Sequence, residues 1–123
     1  FVNVLPNSMM APTAAPYNPI SAAQHTIQNP LHQKLTADSV SQTVHLSRSQ
    51  FHTLFRRQTG QTFVEYLTQL RLEWACRLLR ETGWSVLDIS TFVGFTAPAY
   101  FHRLFHRKMG ITPKQYRQKA KKI

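Results

Sequence analysis

The chain has 123 residues, with 15 Lys plus Arg against 5 Asp plus Glu, a formal net charge of +10. A hydrophobic content of 42% excludes wholesale disorder and allows one all-helical domain, or two small ones sharing a helix. The charge imbalance is unlike that of a typical cytosolic enzyme and suits a polyanionic partner, either nucleic acid or an anionic membrane surface. Its distribution divides the chain. Residues 1–33 carry no charged side chain, Lys34 is the sole basic residue before Arg48, and fourteen more lie between Arg48 and Lys122. Cys76 is the only cysteine, which excludes an internal disulfide framework and fits a reducing compartment. No apolar run approaches the roughly 20 residues that a membrane span needs. A start at Phe1, with no charged leader, leads to the expectation that this is a piece of a longer protein.

In chain order, residues 1–19 hold Pro6, Pro12, Pro16 and Pro19 among Asn, Ser, Ala and Thr, and read as a linker or disordered leader. A short helix is expected around Ser21–Gln28, with Ile20, Ala23 and Ile27 at helical spacing and Pro30 ending it. From Thr36 onward the punctuation is regular. Ser47 precedes Gln50 by three residues, as Thr62 precedes Glu65, Ser85 precedes Asp88 and Thr112 precedes Gln115. Each hydroxyl can accept from a free backbone N–H of a first helical turn. Pro113 suits a first helical position, and Gly60, Gly83 and Gly110 suit left-handed C-terminal caps. Helices are therefore expected near 37–43, 48–59, 63–82, 86–92, 97–109 and 113–121. Strand alternation is absent from the pattern, and the class is all-α. On the 63–82 helix, Leu67, Leu70, Trp74 and Leu78 form a stripe able to pack against both neighbouring regions. Cys76, beside Leu72, Ala75 and Leu79, reads as a buried small hydrophobe.

The strongest signal is an internal repeat. Gln50–Tyr66 aligns with Tyr100–Tyr116 at an offset of fifty, and eight of seventeen positions are identical: Phe51, His52, Leu54, Phe55, Arg57, Gly60, Thr62 and Tyr66 recur. Upstream, Val40, Ser41, Val44 and Leu46 correspond to Ile89, Ser90, Val93 and Phe95 at an offset of forty-nine. Each copy reads as a short helix, a tight turn and a longer helix. The turn holds Gly94 in the second copy but His45 in the first, which implies strain or a different turn there. In domain terms, residues 20–123 form a tandem of two helix-turn-helix subdomains, about 36–60 and 85–110. A long central helix at 62–82 joins them, and a C-terminal helix follows at 113–121.

Within each longer helix Phe51, Leu54 and Phe55, or Phe101, Leu104 and Phe105, fall at i, i+3, i+4 and belong to a core. The opposite faces carry the chemistry. Neither helix contains an acid, whereas a solvated face ordinarily mixes signs, so a phosphate-rich partner is indicated. The major groove of DNA admits an α-helix, and Arg, amide and hydroxyl side chains match its base edges. Residues near the start of the second helix of such a unit reach bases, and flanking cations meet phosphates. The base-reading candidates are Ser49, Gln50, His52 and Thr53 in the first copy and Ala99, Tyr100, His102 and Arg103 in the second. The phosphate candidates are Arg48, Arg56, Arg57, Arg107 and Lys108. Arg71 and Arg77 are expected to pair with Glu73 or Glu81 on their own helix.

These residues resemble the C-terminal domain of the AraC/XylS family of bacterial transcription regulators over about residues 35–119, with a weaker extension to Ile20. The resemblance rests on Leu46-Ser47, Phe51-x-x-Leu54-Phe55-x-x-x-x-Gly60, Tyr66-Leu67-x-x-x-Arg71-Leu72-x-x-Ala75-x-x-Leu78-Leu79, and Ile89-x-x-x-x-Gly94-Phe95. It continues through Tyr100-Phe101-x-x-x-Phe105-x-x-x-x-Gly110-x-x-Pro113-x-x-Tyr116-Arg117. It implies a seven-helix module that binds promoter DNA, behind an N-terminal sensing or dimerising domain, with contacts to RNA polymerase in activators. The base-contacting positions it implies are Ser49, His52, Thr53, Ala99, Tyr100, His102 and Arg103. Ser41 and Ser90 stand where alanine is usual, and Pro30 falls near the end of the first helix.

Other function classes fit less well. A nucleic-acid enzyme needs paired carboxylates or a metal, whereas Asp38, Glu65, Glu73, Glu81 and Asp88 are scattered. His102 and His106 share a metal-compatible spacing, but Arg103 and Arg107 adjoin them and no third ligand is evident. A membrane-surface helix would expose bulky apolar residues that are needed here for the core. An RNA-binding reading lacks a loop array of stacking aromatics. The expectation is a non-enzymatic, cytoplasmic, nucleoid-associated DNA-binding regulator. It takes no cofactor or metal, makes no membrane contact, and has an effector, if any, bound only by an N-terminal domain.

Overall fold

The computed structural model describes residues 17–27 and 35–121. Among these, seven helices follow one another: α1 (Pro19–Thr26), α2 (Ala37–Thr43), α3 (Arg48–Thr59), α4 (Phe63–Glu81), α5 (Val86–Phe92), α6 (Pro98–Met109) and α7 (Pro113–Lys121). The hydroxyl-led starts behave as the spacing predicts. Ser47 Oγ accepts the Gln50 N–H at 3.1 Å while Gln50 Oε1 accepts the Ser47 N–H at 3.0 Å. Thr62 with Glu65 and Thr112 with Gln115 form the same reciprocal box. Ser85 Oγ accepts from Asp88 N at 3.0 Å. Such caps satisfy N–H groups that a first turn otherwise leaves to water.

Three expectations need correction at helix ends. The first helix runs two residues earlier than the Ser21–Gln28 estimate, because Asn18 Oδ1 accepts from Ile20 N and Ser21 N and Pro19 occupies the first turn. Asn18 and Pro19, expected in the leader over 1–19, are thus the cap and first residue of α1, while residues 1–16 of that leader lie outside the described residues, as does Pro30. Ala97 caps α6 from an extended conformation and lies outside it. Gly83 is not a left-handed cap: α4 ends at Glu81, and its C-cap is Thr82, in extended conformation, whose Oγ1 donates to Leu78 O at 2.6 Å. Gly60 and Gly110 do adopt the left-handed conformation, with φ of 78° and 81°.

The two helix-turn-helix corners have the same hydrogen bonds. Leu46 N donates to Ser41 O at 3.0 Å and Phe95 N to Ser90 O at 3.0 Å; His45 N and Gly94 N donate to Gln42 O and Thr91 O, each at 3.1 Å. Of the two outcomes left open for His45, strain is the one observed: its φ is 61° where Gly94 has 103°. A left-handed residue with a Cβ costs roughly 1 kcal/mol or more relative to glycine. Behind each corner sits a buried serine whose hydroxyl donates to a carbonyl three residues back, Ser41 to Asp38 O at 2.9 Å and Ser90 to Leu87 O at 2.8 Å.

Two cores result. The first gathers Ile20, Ala23, Val40, Val44, Phe51, Phe55, Phe63 and Leu67. The second gathers Leu72, Ala75, Cys76, Leu79, Ile89, Val93, Phe95, Phe101, Leu104 and Phe105. Each has a phenylalanine ladder closed by a tyrosine, Phe55 against Tyr66 at 5.4 Å and Phe105 against Tyr116 at 5.7 Å between ring centroids. The helix α4 contributes its first half to one core and its second half to the other, so it is a closing helix for unit one and an opening helix for unit two. This corrects the expected stripe. Leu67 is buried, Leu70 and Leu78 are half-buried, and Trp74 is exposed. The burying face jumps from Leu67 to Leu72, five residues, which turns it about 140° around the axis. Trp74 instead carries the Arg77 guanidinium over its ring at 5.1 Å, and Arg77 pairs with Glu81 at 3.3 Å. Burial pushes the Cys76 thiol above its ordinary pKa, as befits a core residue.

The far end of α4 is tied to α7. Arg117 donates from Nε to Leu79 O at 3.1 Å and from Nη2 to Thr82 O at 3.2 Å, capping the last α4 carbonyls, and Arg80 Nη1 donates to the Tyr116 hydroxyl at 2.7 Å. No helix among the described residues is long and apolar enough to cross a membrane.

Candidate nucleic-acid interface

The second helix of each unit, α3 and α6, turns its phenylalanines inward: Phe51, Phe55, Phe101 and Phe105 are all buried. The opposite face is what solvent meets. Ser49, Gln50, Thr53, Arg48, Arg56 and Arg57 are exposed on α3, and His52 is half-buried beside Phe51. On α6, Ala99, Tyr100, His102, Arg103, Arg107 and Lys108 are exposed. The fold therefore brings the candidates of each helix together on one outward surface. Tyr100 is 45% exposed while its ring sits 6.1 Å from that of Phe95, so its base rests on the core edge and its hydroxyl end is open.

The two surfaces differ at their leading ends. At the start of α3, Ser47 and Gln50 saturate each other's backbone N–H groups, so the Gln50 carbonyl oxygen is already engaged. That leaves the Gln50 amide nitrogen for a base, a narrower reader than the paired donor and acceptor its residue type offers. The α6 start has Pro98 in the first turn and no side-chain cap, which leaves its leading N–H groups open to an anion.

Neither recognition helix contains Asp or Glu. The fold supplies carboxylates from neighbouring helices. Asp38 of α2 pairs with Arg48 at 3.3 Å, both side chains well exposed, so the pair is weak and open to exchange for a phosphate. Glu65 of α4 feels both Arg56 of α3 and Lys108 of α6. The last turns of both recognition helices thus lie within electrostatic reach of one carboxylate at the start of α4. Between α4 and α6 lies a groove of about 630 Å³ lined in part by Gln61, Glu65, Gln69, Tyr100, Arg107 and Lys108. On its α4 wall, Gln61 Nε2 donates to Gln69 Oε1 at 3.0 Å and Gln69 Nε2 to Glu73 Oε2 at 3.3 Å. No linear pattern announces these carboxylates, since their neighbours lie on other helices.

Comparison with known proteins follows the same lines. A family model described as a helix-turn-helix domain matches residues 40–119. The MmsAB operon regulatory protein of Pseudomonas aeruginosa is 33% identical over 91 residues, 74% of this chain and 30% of that protein. The C-terminal domain of the two-component response regulator yesN from Fusobacterium nucleatum has a similar structure, with a TM-score of 0.74 at 33% identity, covering 79% of this chain and 95% of that one. The DNA-binding domain of AdpA, a global transcriptional factor solved with a target DNA, gives a TM-score of 0.76 at 26% identity over 83% and 92% of the two chains. The chain spans less than half the length of the curated relatives it matches. With two helix-turn-helix units, one shared helix and a family match over most of its described residues, the chain belongs to the AraC-type helix-turn-helix family of bacterial DNA-binding transcription regulators.

Proposed function

We propose that α3 and α6 enter two successive major-groove segments of an asymmetric promoter site, and that the chain is the output domain of a transcription activator. The observation that carries this reading is the pair of equivalent helices, each with an outward face of cationic, amide and hydroxyl groups, held on one rigid helix. At 1.5 Å per residue, a helix the length of α4 is about 28 Å long, close to the roughly 34 Å between successive groove segments on one face of a duplex. Arg103, His102, Tyr100 and Ala99 on α6, with Ser49, His52 and Thr53 on α3, are the base readers, and Gln50 adds its free amide nitrogen. Arg48, Arg56, Arg57, Arg107 and Lys108 set affinity and register through phosphates. An activator role follows the relatives, several of which are named as transcriptional activators. It implies a contact with RNA polymerase, an effector sensed by another domain and action on cytoplasmic DNA; no step of it calls for catalysis.

Selection of duplexes from a random pool tests the core of this reading. One preferred sequence should emerge, bound with a steep inverse dependence on salt, and a flat salt response would remove the DNA assignment. On the selected duplex, Arg103→Ala should cost about 1–3 kcal/mol and relax preference at a few adjacent base pairs; a uniform loss on every sequence would reassign Arg103 to a phosphate.

A further inference from the structure

Glu65 and Gln115 occupy the same place in the two repeats, fifty residues apart, and do the same local work. Glu65 Oε1 accepts the Thr62 N–H at 2.9 Å and Thr62 Oγ1 accepts the Glu65 N–H at 3.1 Å. Gln115 Oε1 accepts the Thr112 N–H at 3.0 Å and Thr112 Oγ1 accepts the Gln115 N–H at 3.1 Å. A neutral amide therefore takes the same place in the box as a carboxylate does, so the geometry of the box does not by itself require a charge at residue 65.

The surroundings of the two residues differ. Glu65 lies on the wall of the groove between α4 and α6, which Arg107 and Lys108 also line. Arg56, in the last turn of α3, adds its own attraction on the same carboxylate. The box with Thr62, and then Arg56 and Lys108, hold its carboxyl below the usual carboxylate range, so it is anionic at neutral pH. Arg56 and Lys108 lie in the last turns of the two recognition helices, and the Glu65 carboxylate attracts both without forming a close ion pair with either. We propose that Glu65 is a built-in counter-charge, which competes with DNA phosphates for Arg56 and Lys108 and so moderates the sequence-independent part of DNA binding. The proposal rests on the DNA-binding reading above. Sequence-independent binding comes almost wholly from cations that replace condensed counterions on phosphates, so two partly neutralised cations lower it directly.

The test uses the whole chain and two duplexes, one selected from a random pool and one of mixed sequence. Glu65→Gln keeps the box in the form Gln115 already shows and should lower the melting temperature only slightly, by the loss of a charge-assisted cap, and less than Thr62→Ala does. It should tighten binding to the mixed-sequence duplex several-fold and steepen the log–log salt slope by up to about 0.9 per cation released. In an Arg56→Gln, Lys108→Gln background the same change should have no such effect. Thr62→Ala, which breaks the box but keeps the charge, should lower the melting temperature without tightening. Equal or weaker binding by Glu65→Gln, or the same tightening in the doubly substituted background, would overturn the proposal. A parent chain that binds neither duplex would instead sink the DNA-binding reading itself.

Discussion

The two helix-turn-helix units share a corner, a buried serine and a phenylalanine ladder, yet differ in how completely each satisfies itself. Unit one closes its recognition helix with the Ser47–Gln50 box and leans Asp38 on Arg48. Unit two starts its helix at Ala97 and Pro98 with no side-chain cap and places Arg103 where unit one has Thr53. The cores are also completed differently: the second half of α4 supplies Leu72, Ala75, Cys76 and Leu79 to unit two, whereas α1 supplies Ile20 and Ala23 to unit one. Unit two thus sets a less satisfied polar surface over a fully buried aromatic core, which is the arrangement expected of a firm scaffold under a surface reserved for a partner.

The contrast can be broken at the cores, where effects are largest. Phe105→Ala and Phe55→Ala each remove a fully buried ring and should each cost about 3–5 kcal/mol, read by chemical denaturation. Because α4 is continuous through both cores, either change should lower one common transition; two separated transitions would show that the units unfold independently.

A smaller effect sharpens the difference in capping. Ser47→Ala should destabilise by about 1 kcal/mol, and Ala97→Ser, which offers unit two the cap it lacks, should stabilise by less than that. Thermal melts of both variants check the pair, and equal losses would mean that Ala97 already has a compensation its neighbours hide. The smallest effect lies at the corners. His45→Gly should stabilise by only a few tenths of a kcal/mol, since relief of the left-handed residue is mostly offset by the added freedom of the unfolded chain. Gly94→Ala, the reverse change in the other unit, should lower the melting temperature.

Most helix boundaries were legible because the chain marks them with local chemistry. A hydroxyl three residues before a carboxyl or amide starts α3, α4, α5 and α7, and a left-handed glycine ends α3 and α6. The start of α1 was obscured because Asn18-Pro19 carries the same kind of signal but sits at the edge of a proline-rich stretch. Trp74 was misplaced for a geometric reason: a single helical stripe assumes one core, and α4 serves two at different angles. The outward positions of the reader candidates followed from the repeat alone. Asp38 and Glu65 could not be connected to the recognition surfaces in the same way, since a sequence pattern shows which residues share a helix face and not which helices meet.

The double duty of α4 has a consequence for how this chain can vary. A residue gained or lost in a surface loop shifts little: Thr96 is an extra residue between the second corner and its recognition helix, and both corners keep the same hydrogen bonds. The same change inside α4 would swing one unit about 100° around the other and displace it by about 1.5 Å, with every contact inside each unit intact. The length of that rod behaves as a gear setting: a deletion there would leave two sound halves that no longer mesh with a single duplex.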